Sequence, residues 1–162
     1  KSAADLISEE TPNYQWVAGR LINYHLRKQV YGDFMPDMLI DIVKRNVELG
    51  YYDADILDKY DEEEWEILDT YTRHERDENL TYAAMEQFRG KYLVQNRVTG
   101  EIYETPQVAY MMISATLFAD YPKEKRLSTV KDYYDAISTF DISLPTPVMA
   151  GVRTPQRQFS SC

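Results

Sequence analysis

The sequence has few of the residues that build disulfides and metal centres. Its 162 residues include one cysteine, Cys162, and two histidines, His25 and His74. A single cysteine cannot form an intrachain disulfide, so we expect a reducing, cytoplasmic setting and not a disulfide-stabilised secreted domain. Neither histidine has a partner at ligand spacing, which excludes the common zinc motifs and predicts structural or surface roles for both.

Long apolar runs and an excess of positive charge are also missing. No run approaches the roughly 20 residues of a membrane span, and no signal peptide is visible. The 27 acidic residues outnumber the 18 basic ones and give a net charge of −9. Because nucleic acids and anionic membranes bind basic patches, we expect neither as a partner.

Two clusters of acidic residues occur, at positions 58–66 and 77–78. A carboxylate metal site needs ligands that converge from several elements, and a run along one helix does not provide them. We therefore interpret both clusters as solvated helix faces with capping residues, and we predict no metal site.

The remaining composition indicates one ordinary globular core made mainly of helices. Apolar residues make up 44% of the chain, and the 14 tyrosines suit half-buried helix faces. Apolar positions recur at helical spacing between helix start and stop signals, with Met111 and Met112 interpreted as core. The predicted helices cover about residues 2–8, 12–31, 36–50, a short turn after Asp53, a helix after Asp61, 81–90, 105–120 and 123–139.

Several signals at predicted helix ends are specific. The run from Asp61 to Glu64 has a capping-box pattern, and Thr81 stands where a helix begins. Gly32 and Gly50 are predicted C-terminal caps. The helix that ends at Gly32 should have one apolar face, formed by five residues near a 3.6-residue period: Trp16, Val17, Leu21, Tyr24 and Val30.

Three segments are predicted to be extended. Strand-forming residues at 91–94 and 101–103 flank a turn that ends in Gly100, which predicts a β-hairpin. Prolines at 145, 147 and 155 predict that residues 142–156 form a stiff, extended connector and not a helix. Residues 157–162 then have the pattern of an entering strand. Both ends of the chain look cut, so we expect a helical domain beside a larger α/β unit.

The last 20 residues, SLPTPVMAGVRTPQRQFSSC, resemble the segment that leads into the catalytic barrel of the class I ribonucleotide reductase large (alpha) subunit. The run GKYLVQNRVTGEIYETPQ, at 90–107, is similar to the same family, and the likeness covers essentially the whole chain. The resemblance implies three parts: a C-terminal remnant of an ATP-cone regulatory domain (1–32), a helical N-terminal domain with a small β-hairpin (33–141), and a connector entering the first strand of the ten-stranded α/β barrel (142–162).

The resemblance also implies the residues of a substrate site. Cys162 matches the cysteine that protonates the departing 2′ hydroxyl and supplies reducing equivalents, ending in a disulfide with a distant cysteine. Ser161 matches a residue beside the ribose, and Thr146 matches a contact to substrate phosphate. Considered without the family, a lone cysteine is more often an inert buried thiol. Arg153 and the pair 157–158 are interpreted as structural or interface groups.

Two residues match an effector site. Lys28 corresponds to a lysine that contacts the phosphate of the ATP or dATP effector, and Tyr24 to an aromatic position near the adenine. The alternative is that Lys28 only caps a helix and Tyr24 belongs to the core. The phosphate loop of that domain is missing from the sequence.

The family implies that the whole enzyme reduces ribonucleoside diphosphates by thiyl-radical chemistry. Its partners would be a small (beta) subunit with a metal-linked radical, thioredoxin or glutaredoxin, the rest of the large subunit and a second copy of it. This chain itself is expected to bind no cofactor and to have no turnover alone. Two alternatives stay open: a stand-alone helical interaction module with an incidental cysteine, and a piece of a class II, cobalamin-dependent reductase.

Overall fold

The computed structural model of the chain describes residues 2–156. This part is mainly helical, as predicted, and contains short 3-10 helices at Ala4–Leu6 and His74–Asn79 and a π-helical turn at Phe88–Tyr92. None of its helices combines the length and the apolar character that crossing a bilayer requires. Its α-helices are α1 (Tyr14–Tyr31), α2 (Leu39–Glu48), α3 (Ile56–Lys59), α4 (Glu62–Tyr71), α5 (Tyr82–Gln87), α6 (Pro106–Leu117), α7 (Lys123–Ser138) and α8 (Thr146–Gly151).

Helix α6 lies at the centre of the core. Every residue from Pro106 to Ala115 is buried, as expected of a helix that is mostly apolar and not on one face alone. Met111 and Met112 are both fully buried, which confirms their prediction as core residues. Helices α7 and α8 and the 3-10 helix His74–Asn79 pack around α6.

The capping box of α4 is confirmed, but its acidic cluster is not uniformly solvated. The Asp61 carboxylate accepts a hydrogen bond from the Glu64 backbone N–H at 2.9 Å, and the Glu64 carboxylate accepts one from the Asp61 N–H. Glu64 is also buried and accepts a hydrogen bond from Arg126 Nε on α7 at 2.8 Å. Asp77, in the second cluster, is completely buried. The prediction of solvated faces was therefore wrong for these two carboxylates.

Helix α1 ends at Gly32 as predicted, in the left-handed conformation with φ of 75°. Its buried face, however, consists of Ala18, Gly19, Asn23, Leu26 and Val30. Of the five predicted apolar-face residues, only Val30 lies in the core. Each of the other four is 37% to 56% exposed: Trp16, Val17, Leu21 and Tyr24.

The predicted β-hairpin is reduced to one antiparallel bridge, between Gln95 and Ile102, and no strand forms within residues 2–156. Helical structure passes Gly90 as the π-helical turn, so the first predicted strand does not begin there. The Val94 N–H donates to the Glu104 carboxylate at 3.0 Å instead of to a strand partner, which limits the ladder.

The connector was predicted to be extended throughout, and this was wrong, because α8 forms within it. Pro145 has extended backbone angles and occupies the N-cap, and Pro147 follows in the first helical turn. A proline there loses no helical hydrogen bond, since the first N–H groups of a helix have no partner within it. The two prolines therefore start a helix. The predicted strand at 157–162 and the start of the barrel lie outside the described residues.

Candidate functional site

A groove of about 780 Å³ lies on the surface of the described chain. One wall comes from residues 91–95 with Arg97, and Gly50 and Tyr51 lie beside it. The other wall is α8, and the segment 154–156 after it also lines the groove.

Thr146, the predicted phosphate contact, lies on this groove. It is the first residue of α8, it is exposed, and it is held between two prolines whose φ angles are restricted. Two cationic residues, Lys91 and Arg97, line the opposite wall, and none of the described lining residues is acidic. In a chain with a net charge of −9, such a lining is suited to an anion.

A buried ion pair lies beneath the groove. The side chains of Arg153 and Glu104 have no exposed surface, and Arg153 Nε lies 3.1 and 3.0 Å from the two Glu104 carboxylate oxygens. Arg153 also donates to the backbone carbonyls of Met149, at 2.6 Å, and Tyr92, at 2.8 Å. The guanidinium therefore has a partner at each of its three nitrogens, which offsets much of the cost of burying its charge.

Tyr52 extends this network. Its hydroxyl donates to Glu104, and the next backbone N–H, of Asp53, donates to the Arg153 carbonyl at 3.0 Å. Burial raises the pKa of Tyr52 well above its usual value, and the charge of Glu104 raises it further. Burial alone would lower the pKa of Arg153, but Glu104 outweighs this effect and raises it. The Arg153 guanidinium thus stays charged across the physiological range.

Sequence reasoning did not identify this network. Glu104 lies in the run that carries the family resemblance, but it was not singled out, and Arg153 was interpreted only as structural or interface. The two residues are 49 positions apart, so no local pattern links them. The available signal was an arginine next to the apolar run at 148–152.

The two effector candidates lie elsewhere, on α1. Lys28 and Tyr24 are both exposed and are four residues apart, so they lie on one face of the helix. The rings of Tyr24 and Phe34 are nearly perpendicular, with their centroids 6.0 Å apart. Neither residue lines the groove.

Cys162 and Ser161 lie outside the described residues. Within residues 2–156, no group of three or more His, Cys, Asp or Glu side chains is arranged to hold a metal ion.

A second buried carboxyl was missed by sequence reasoning. Asp77 Oδ1 accepts a hydrogen bond from the Gln107 amide at 2.9 Å, and Gln107 in turn accepts one from the Tyr134 hydroxyl at 2.6 Å. The other oxygen, Oδ2, has no partner among the described residues. Burial raises the pKa of Asp77 to about 7, although the Gln107 hydrogen bond and the charge of Arg27 act in the opposite direction.

Comparison with known proteins defines the class. Residues 78–157 match the family model described as "Ribonucleotide reductase, all-alpha domain", in agreement with the helical fold. The chain is 58% identical over all 162 residues to ribonucleoside-diphosphate reductase 1 subunit alpha of Escherichia coli, and 59% identical to the alpha subunit of Haemophilus influenzae. Identity to the alpha subunit of Enterobacteria phage T4 is 50%.

The chain belongs to the family of class I ribonucleotide reductase large (alpha) subunits. It spans 21% of the length of these relatives.

Proposed function

We propose that the chain is part of the large subunit of a ribonucleoside-diphosphate reductase, which converts ribonucleoside diphosphates to deoxyribonucleoside diphosphates. The observation that carries the proposal is the 58% identity to a reductase alpha subunit along the whole chain. This identity favours the enzyme over a stand-alone interaction module.

In this function the groove would receive the phosphate end of the substrate. The Thr146 hydroxyl would donate a hydrogen bond to a phosphate oxygen, since a hydroxyl held on a restricted backbone is a suitable hydrogen-bond donor to an anion. Lys91 and Arg97 on the opposite wall, with no acidic residue in the described lining, support an anionic ligand.

Cys162 would act on the ribose, with Ser161 hydrogen-bonded beside it. The Cys162 thiol would give its proton to the departing 2′ hydroxyl, which leaves as water. Cys162 and a second cysteine elsewhere in the subunit would together supply two electrons and form a disulfide. An external dithiol protein, thioredoxin or glutaredoxin, would then reduce that disulfide by exchange.

The wider assembly is proposed on the same basis. Residues 33–141 would form the helical N-terminal domain, and 142–162 would lead into the barrel. The small subunit with its metal-linked radical, the remainder of the large subunit and a second copy of it would be the partners, in the cytoplasm.

Residues 1–32 would be the end of an ATP cone, in which Lys28 contacts the phosphate of ATP or dATP and Tyr24 lies near the adenine. Their exposure on one face of α1 supports this role. The exposed side chains of Val17 and Leu21 on the same helix suggest that further protein covers it.

Replacing Cys162 by serine in the complete subunit, assembled with the small subunit, tests the function. We expect dithiol-dependent reduction of ribonucleoside diphosphates to be abolished, because serine cannot form the disulfide. Binding of the substrate, measured by equilibrium dialysis, should change little. Full dithiol-dependent turnover in Cys162→Ser would refute the role of the cysteine.

A further inference from the structure

The Arg153–Glu104 ion pair joins the two walls of the groove. From one wall, the Val94 N–H donates to Glu104 Oε1 at 3.0 Å and the Tyr92 carbonyl accepts from Arg153. From the other wall, Arg153 itself follows α8 and donates to the Met149 carbonyl at 2.6 Å. The Arg153–Glu104 pair is thus a cross-brace between the wall at 91–95 and α8.

Helix α8 places Thr146 in a fixed relation to this brace. Thr146 is three residues before Met149, so the carbonyl that Arg153 holds is less than one helical turn from the threonine. Any shift of α8 relative to the opposite wall would move the Thr146 hydroxyl and also change the width of the groove. The Asp53 N–H, which donates to the Arg153 carbonyl at 3.0 Å, restricts the same segment from a third direction.

Stability alone does not account for a buried ion pair at this place. A well-packed apolar pair of similar volume generally stabilises a protein as much as a buried ion pair or more. A guanidinium and a carboxylate add directional hydrogen bonds, which fix both the distance and the angle between the groups that they join. Here those hydrogen bonds run between the two side chains and to the main chain at Tyr92, Val94 and Met149, and Glu104 accepts one more from the Tyr52 hydroxyl.

We propose that Arg153 and Glu104 are positioning residues for the substrate, which hold Thr146 at the distance from the opposite wall that a nucleoside diphosphate requires. The inference rests on the proposed function and deepens it. The Tyr52 hydroxyl donates a hydrogen bond to Glu104 and so helps to fix the orientation of the carboxylate.

The test uses the complete large subunit assembled with its small subunit and measures steady-state reduction of a ribonucleoside diphosphate. Arg153→Lys keeps the charge but cannot reach all of the acceptors, and Glu104→Gln keeps the shape but weakens the ion pair. We expect each to raise KM about tenfold, as the loss of a hydrogen bond to a charged group does, with kcat changed less than about twofold.

A second buried ion pair provides a matched control. Arg126 and Glu64 join α7 to α4, their side chains are 13% and 5% exposed, and neither lines the groove. Arg126→Lys and Glu64→Gln should lower the thermal midpoint as the first pair of variants does but leave KM unchanged. An equal rise of KM in both sets of variants would mean that the effect is only loss of stability, and would overturn the proposal.

Two further variants separate the positioning role from the proposed function. Tyr52→Phe removes one hydrogen bond and leaves the ion pair, so it should fold and raise KM about threefold. Thr146→Val should raise KM by itself. If Thr146→Val does so while the variants at 52, 104 and 153 do not, the positioning role is wrong and the proposed function stands. If the unmodified enzyme does not reduce nucleoside diphosphates, the proposed function itself fails.

Discussion

A single buried residue, Asp77, makes the stability of this protein depend on pH. Its carboxyl is completely buried and one of its oxygens has no described partner. The charged form is disfavoured in such a place, so burial raises its pKa from 3.8 to about 7, against the smaller effects of Gln107 and Arg27. The folded protein therefore binds this proton more tightly than the unfolded chain does.

Because the folded protein holds this proton more tightly, the contribution of Asp77 to stability falls as the pH rises. The stability that protonated Asp77 contributes is fully present below about pH 4 and is lost as the pH rises through about 7. Asp77→Asn cannot ionise. The variant should therefore gain stability relative to the unmodified chain by about 1.4 kcal/mol per pH unit across that window, up to about 4 kcal/mol. Urea unfolding of both chains between pH 5 and 8.5 measures this difference.

His74 is a second group that makes the stability of the chain depend on pH. Burial lowers the pKa of His74, and the nearby charge of Arg27 lowers it further, so its contribution is lost as the pH falls. This effect is common to both chains and cancels in their difference. A difference in free energy of unfolding that stays constant with pH would contradict the assignment to Asp77.

At the scale of elements, the position of α1 depends on Gly19. A Cβ atom built there would lie 2.3 Å from the Leu80 carbonyl oxygen and 3.0 Å from the Thr81 carbonyl carbon. Both are backbone atoms, which cannot move aside as the end of a flexible side chain can. The close approach of α1 to the residues before α5 is therefore possible only without a side chain.

Gly19→Ala should destabilise the protein by about 2–4 kcal/mol, because α1 must move away from residues 80–82. Denaturant unfolding of the chain measures the loss. Gly90→Ala is the matched control, since a Cβ there meets nothing within 4 Å, and it should be neutral or stabilise slightly. Equal effects of the two substitutions would show that the close approach does not limit the packing of α1.

For the whole molecule, we expect further protein to cover the exposed apolar side chains of α1. We expect the complete subunit to bind ATP through a cone that includes Lys28 and Tyr24, and the 162-residue chain alone to bind it weakly or not at all. In the complete subunit, Lys28→Gln should weaken ATP binding about tenfold by removing a charge-assisted contact to phosphate.

Calorimetric titration with ATP checks this expectation. Lys44→Gln, at another exposed lysine, on α2, controls for the change in net charge and should leave the affinity unchanged. Loss of affinity in both variants, or in neither, would remove Lys28 from the effector site.

Local signals in the sequence predicted the structure correctly where the interacting groups are close along the chain. The capping box of Asp61 and Glu64, the Thr81 cap and the left-handed Gly32 all form as predicted, because each depends on atoms within about one helical turn. The resemblance that led to the family was likewise present in the residues themselves. The substrate and effector candidates come from that resemblance and stay predictions.

Tertiary structure decided which groups lie together and which are covered. The apolar stripe of α1 was expected in the core, but the glycine-bearing face packs there instead, since only that face allows the close approach at residue 80. Local propensity predicted two strands, but the Glu104 carboxylate takes the Val94 N–H and the ladder stops at one bridge. Glu104 and Arg153 are 49 positions apart, and only the folded chain brings them to 3.0 Å. Sequence by itself thus determined most of the helices and the family, but not α8. The Arg153–Glu104 ion pair beneath the groove and the shifted pKa of Asp77 arise from burial, which local sequence does not encode.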